Sequence, residues 1–322
     1  MILALRALGV GDLATAVPAL RGLRAAHPGE PLALAAPRWL APLVDLIGVV
    51  DRLIPVDGLA DERVLAGQRP ALAVNLHGRG PQSHRLLRAA RPGWTIAYAC
   101  PRAGYPDGPP WRDDEHEVAR WCRLLGWYGI PTDPDDLALR RPSGSGAGLT
   151  DAGLTVVHPG AKAPARRWPA DRFAAVARQL RGAGHRVVVT GSPGERGLAE
   201  AVAARAGLPR SAVLAGRTDT GALAGLVAGA RLLVSGDTGV AHLATAYGTP
   251  SVVLFGPMSP ALWGPPADRP YHRALWHPEL ADRPAGPEPH PALRAITVAD
   301  VLAAADAATR AAGRTSHAVA AQ

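Results

Sequence analysis

The sequence contains one lysine, two cysteines and no apolar run approaching the length of a membrane span. A spanning helix needs about 20 predominantly apolar residues, so none is expected. Cys100 and Cys122 are too few for a disulfide framework and lack metal-type spacing, so they read as reduced thiols of a cytoplasmic protein. No G-x-S-x-G occurs, and His116-Glu117 does not continue into H-E-x-x-H, which argues against a serine hydrolase and a zinc protease. His272, His277 and His290 are scattered without ligand spacing. Asp133-Pro134-Asp135 imitates the D-x-D of metal-dependent sugar transferases but falls in a linker, so no metal site is expected. No basic run is interleaved with aromatics, so nucleic acid is not an expected partner. The opening MILALRALGVGDLATA imitates a signal peptide, but Arg6 interrupts the apolar run and Asp12 follows, so a buried first strand is the better reading.

The 322 residues suggest about two domains, and 48% hydrophobic against 19% charged residues allows a packed core. The net charge is +8 and Lys162 is the single lysine among 35 basic residues. Two accounts stand side by side. One is a coding bias toward Ala, Gly, Pro and Arg. The other is attraction to an anionic ligand, such as a nucleotide diphosphate, or peripheral contact with an anionic inner membrane surface.

Strand and helix signals alternate along the chain, which predicts an α/β architecture with mainly parallel sheets. Strands are expected at Ile2–Leu5, Pro31–Ala35, Arg52–Val56, Ala71–Leu76 and Thr95–Tyr98. Helices are expected at Leu13–Ala26, Trp39–Ile47, Ala60–Gln68, Pro81–Ala90 and Asp114–Trp127. Ser143–Gly148 reads as a flexible connection, and the boundary is placed between residues 150 and 151. The alternation then restarts. Strands are expected at Leu154–His158, Arg186–Thr190, Ala212–Leu214, Leu232–Ser235 and Ser251–Phe255, with helices at Ala170–Gly182, Gly194–Ala206, Thr220–Ala228 and Val240–Tyr247. Residues 257–291 are proline-rich and read as irregular. A last helix is expected at Val298–Ala312, followed by a disordered tail over 313–322. Two Rossmann-like domains, 1–150 and 151–297, would face one another across a cleft at the carboxyl ends of their sheets, where ligands of open α/β sheets bind.

Three segments carry chemistry. In Leu232–Pro257, a buried strand runs through Ser235-Gly236-Asp237-Thr238-Gly239 into a helix. Such a turn aims free N–H groups and the positive helix end at one spot, which suits a phosphate. Thr238 adds a hydroxyl, and His242 lies one helical turn on, on the same face. Asp237 repels phosphate, so it is read as a helix cap that shapes the loop. An ordinary capped helix with a satisfied histidine is the plainer alternative. In Val156–Pro169, Lys162, Arg166 and Arg167 crowd a loop at a strand's carboxyl end, which suits a departing diphosphate; a solvated basic loop is the alternative. In the first turn, Gly9 and Gly11 permit close approach of a ligand, but Ala14 breaks G-x-G-x-x-G. Asp12 there fits either an N-cap or a general base.

Together these segments resemble glycosyltransferase family 9, the ADP-heptose heptosyltransferases. The resemblance rests on GVGD with the following PAL, on NLHGRG, on HPGAKAPARRWP and, most specifically, on SGDTGVAHLATAYGTPSVVLFGP. It implies the two-domain GT-B fold, transfer with inversion, no cofactor and no metal requirement. It implies that Asp12 is the general base, and that Asp237, Thr238, Gly239 and His242 form the diphosphate loop. It also implies that Glu195 contacts the donor ribose, where a helix-start glutamate is an equally good reading. Arg166 stands where the family usually has a phosphate-binding lysine. The last helix is expected to pack back on the first domain, as in that fold. The implied donor is a nucleotide diphosphate sugar, ADP-heptose in the first instance, and the acceptor is a glycan, glycolipid or small molecule. Three other readings remain open: a transferase using another sugar nucleotide on a natural-product or cell-wall acceptor, a sugar-nucleotide epimerase of the same fold, and a non-catalytic nucleotide-sugar binding protein.

Overall fold

The computed structural model describes residues 1–142 and 153–320, with side chains through residue 314. It divides into two units, Met1–Arg140 and Arg141–Gln322. The expected connection Ser143–Gly148 lies outside the described residues. No described helix is long and apolar enough to cross a membrane.

The first unit runs β1 (Ile2–Leu5), α1 (Val10–Thr15), α2 (Val17–Ala26), β2 (Leu32–Ala36), α3 (Ala41–Ile47), β3 (Arg52–Pro55), β4 (Leu72–Asn75), α4 (Gln82–Ala89), β5 (Trp94–Ile96) and α5 (Glu117–Trp127). Its strands form one parallel sheet in the order β3-β2-β1-β4-β5. Every residue of β1, β2 and β4 is buried, as parallel strands covered on both faces require. The expected helix Leu13–Ala26 is instead two helices that begin at Val10 and break at Ala16, with Pro18 accommodated in the first turn of α2. The expected helix Ala60–Gln68 reduces to a 3₁₀ turn, Glu62–Leu65, between Gly58 and Gly67, both at positive φ.

The second unit runs β6 (Leu154–His158), α6 (Ala170–Gly182), β7 (Arg186–Val189), α7 (Arg196–Arg205), α8 (Thr220–Ala228), β8 (Leu232–Gly236), α9 (Gly239–Tyr247), β9 (Ser251–Leu254), α10 (Pro260–Trp263), β10 (His272–Leu275), α11 (Pro291–Ala295) and α12 (Val298–Ala320). Its parallel sheet has the order β10-β9-β8-β6-β7. The strand expected at Ala212–Leu214 does not form. Pro209 opens a 3₁₀ turn there, and a single bridge from Val213 to Val189 remains. The fifth strand is β10, inside the proline-rich stretch read as irregular; tertiary pairing with β9 overrides a weak local signal. The final helix continues to Ala320 rather than ending at Ala312, and it packs on α6 and on β8, β9 and β10 of its own unit.

The core of this unit gathers β6–β9, α6, α7 and α12. Trp168, 2% exposed, meets Phe173 edge-to-face at 5.0 Å, and its indole N–H donates to the carbonyl of Ile296 at 3.1 Å. This indole ties the loop after β6 to the segment leading into α12. Trp168→Ala is expected to cost about 3–5 kcal/mol. Urea unfolding of the two proteins measures it, and a loss under about 1 kcal/mol would contradict this packing role.

Candidate functional site

Each sheet has a point where the chain reverses direction across it. In the first, β1 leads outward to β2 and β3, and the chain returns to place β4 on the other side of β1. In the second, β6 leads to β7, and β8 falls on β6's other side. The loops leaving the two strands at that point run to opposite sides, and the carboxyl edge where they part is the usual ligand position in such sheets. In both units an arginine bridges that parting.

In the first unit the bridge is Arg6, wholly buried although charged. It follows β1 and donates through Nη1 to the carbonyl of Leu76, just past β4. Nε donates to the carbonyl of Asp12 at 2.8 Å, and Nη2 to Glu117 Oε1 at 2.8 Å and Thr15 Oγ1 at 3.3 Å. The Trp121 ring lies 4.7 Å below the guanidinium. Glu117 also accepts from Arg120 and from the Trp121 indole. Burial alone would raise its carboxyl, but Arg6, Arg120 and the Trp121 bond reverse that and hold it below the ordinary glutamate range.

This cluster fixes Asp12. Its side chain is 29% exposed, with Oδ1 3.6 Å from Arg6 Nη2 and Oδ2 accepting the Gly9 N–H at 3.0 Å. Asp12 is therefore not the helix cap. It sits at the third position of α1 and reaches back to the capping residue, Gly9. Gly9 itself is extended, with φ −92° and ψ −173°, so no glycine-only turn is needed there.

In the second unit the loop between β6 and α6 lies between two others. On one side Arg166 Nη2 donates to the carbonyl of Asp237 at 2.8 Å and pairs with its carboxylate, joining the loops that follow β6 and β8. Asp237 is thus an ion-pair partner, and the cap of α9 is Thr238, whose side chain makes no capping bond. The first N–H groups of α9 have no intrahelical partner, and Thr238 and Gly239 are partly exposed there. His242 is partly exposed one turn on, its ring 5.9 Å from that of Trp263.

On the other side stands Glu195, after β7. Its Oε2 accepts the N–H and the hydroxyl of Ser192, both at 2.8 Å. Burial raises its carboxyl, and Ser192, His158 and Arg167 outweigh that, leaving it below the ordinary range. Gly160 permits this approach, since a Cβ there would come within 2.3 Å of the carboxylate. Arg167 Nε turns inward to the carbonyl of Ala161 at 2.8 Å, whereas Lys162 is exposed on the same loop.

The sequence-predicted donor residues therefore gather at one carboxyl edge, and Asp12 sits at the other unit's edge. Asp133 of the D-P-D triplet accepts the Asp135 N–H in a local turn, and among the described residues no cluster of three metal-ligating side chains occurs. The sequence reading missed Arg6, Glu117 and His77. An arginine inside an apolar run was the signal for Arg6. His77 lies within NLHGRG, one of the segments that carry the family resemblance, whereas Glu117 lies far from β1 in the chain and gives no local signal.

The family model for glycosyltransferase family 9 (heptosyltransferase) matches residues 110–283. Lipopolysaccharide heptosyltransferase 2 of Escherichia coli K12 is 26% identical over 286 residues, covering 78% of this chain and 81% of that protein. The solved structure of E. coli ADP-heptose LPS heptosyltransferase II superposes with a TM-score of 0.77 at 24% identity, covering 96% of this chain and 98% of that one. E. coli heptosyltransferase WaaC with ADP-2-deoxy-2-fluoro heptose gives 0.67 at 19%, covering 94% and 98%. The two-unit architecture is the GT-B fold of these structures.

Because folding holds the Glu117 pKa below its unfolded value, its stabilisation is present above the ordinary glutamate range and is lost as the pH falls through the folded value. Glu117→Gln should therefore flatten the acid limb of stability below about pH 4.5. Thermal midpoints compared between pH 7 and pH 3 check this, and parallel profiles for the two proteins would refute it.

Proposed function

The chain belongs to glycosyltransferase family 9, and on that premise we propose that it transfers heptose from ADP-heptose to a hydroxyl of a lipopolysaccharide core acceptor. It works with inversion, without a metal, at the cytoplasmic face of the inner membrane. One observation supports this reading above the others: the Arg166–Asp237 pair at the parting of β6 and β8. It holds a guanidinium, 38% exposed, beside the N-terminus of α9, and the two together make an anion seat built to one side of a central strand.

In the proposed reaction Asp12 accepts the proton of the acceptor hydroxyl as its oxygen attacks the anomeric carbon. The bond from that carbon to the diphosphate oxygen breaks, and ADP leaves with the electron pair. Arg166, the amides of Thr238 and Gly239, and His242 disperse the charge it carries away, with Lys162 at the rim. Asp237 contributes indirectly, by fixing the guanidinium. Glu195, an ionised carboxylate with Oε1 remaining beside the Ser192-bound Oε2, accepts the ribose hydroxyls of the donor.

Two variants separate the roles. Asp12→Asn should lower the transfer rate by about 10²–10⁴-fold and leave ADP affinity unchanged in calorimetry. Arg166→Ala should weaken ADP binding about ten- to a hundredfold, with Arg166→Lys between it and wild type. Normal turnover by Asp12→Asn removes the base from the scheme, and normal ADP binding by Arg166→Ala removes the anion seat.

A further inference from the structure

His77 stands where the proposed mechanism leaves a gap. It follows β4, whose Asn75 pairs with Leu5 of β1, so it lies directly past the carbonyl of Leu76 that Arg6 holds. The same guanidinium bonds the carbonyl of Asp12 and lies 3.6 Å from its carboxylate. One cation thus ties the base and the histidine's strand end to a single framework. The loop carrying His77 is fixed from within. The buried Asn75 amide accepts the His77 N–H at 3.1 Å and donates to the carbonyl of Gly78 and to Ser83 Oγ, with His84 Nδ1 at 3.2 Å. Yet His77 Nδ1, sheltered from solvent, has no hydrogen-bond partner. A fixed loop holding an enclosed, unpaired polar atom, on a ring that feels the charges of both Arg6 and Asp12, is costly to maintain unless a ligand completes it.

We propose that His77 is an acceptor-positioning residue, its Nδ1 pairing with a sugar hydroxyl adjacent to the one that Asp12 deprotonates. The inference rests on the reading of Asp12 as the base. A hydroxyl suits this atom whichever tautomer is present, because it both donates and accepts. Burial, reinforced by the positive charge of Arg6 and opposed by Asp12, lowers the imidazole to about 4. The ring is therefore neutral at working pH and does not compete with Asp12 for the proton.

The test compares wild type, His77→Ala and His77→Asn, since asparagine places a polar atom the same number of bonds from Cα as Nδ1. Transfer is measured with ADP-heptose and lipopolysaccharide truncated before its second heptose. Binding of the delipidated oligosaccharide of that acceptor is measured by calorimetry in the presence of ADP. His77→Ala should raise the acceptor KM and the oligosaccharide Kd about tenfold, while the KM for ADP-heptose and the melting temperature stay at wild-type values. His77→Asn should recover most of the loss. An unchanged oligosaccharide Kd in His77→Ala, or an Asn variant as weak as the Ala variant, overturns the inference, as does a wild type that binds no oligosaccharide. A wild type that binds it but transfers no heptose refutes the transfer reading, and the calorimetry then still decides the role of His77.

Discussion

Everything at the two carboxyl edges depends on one constraint: parallel strands whose connecting loops leave a central strand in opposite directions must part. Backbone hydrogen bonding ends at that line, and the chain has to supply side chains to hold the loops together. In both units the supplier is an arginine from the loop after the central strand, Arg6 after β1 and Arg166 after β6, bonded to the loop after the neighbouring strand. A planar guanidinium spans such a gap because it offers several donors in a fixed fork.

The two arginines are used differently, and burial decides how. Arg6 is sealed, with its three nitrogens engaged by Leu76, Asp12, Thr15 and Glu117 and its face on Trp121. A buried cation without a partner would be prohibitive, so Glu117 is as necessary to it as it is to Glu117. Arg166 is 38% exposed, and its bonds to Asp237 both come from Nη2. The first pair is scaffold. The second anchors one edge of the guanidinium and leaves an accessible cation whose orientation is already set, which reduces the entropy lost when an anion binds.

How much of this was legible in the sequence follows from the range of the interactions. The β6 and α6 boundaries were readable residue for residue because a buried apolar run and a 3.6-residue period are local. The helix expected at Ala60–Gln68 and the strand at Ala212–Leu214 failed because turn residues beside them, Gly58 with Gly67 and Pro209, set the backbone instead. β10 was invisible since only pairing with β9 makes it a strand. Among the site residues, the loop of Asp237, Thr238 and Gly239 was legible as a strand-to-helix turn. The partnership of Asp237 with Arg166 was not, because those residues are far apart in the chain and meet only when β6 and β8 pair.

The same plan, run twice, yields edges of opposite character. At the first edge the arginine is enclosed, and the group it leaves partly open is a carboxylate, Asp12. At the second the carboxylate, Asp237, is nearly buried at 7% side-chain exposure and the open group is the cation. Reversing which member of the ion pair faces solvent changes what an edge can bind, with no change in fold. Proton acceptance calls for the first arrangement and stabilisation of a departing diphosphate for the second. On the proposed reading, division of a transfer reaction between two similar α/β units therefore reduces to which partner of each switch-point pair is left exposed.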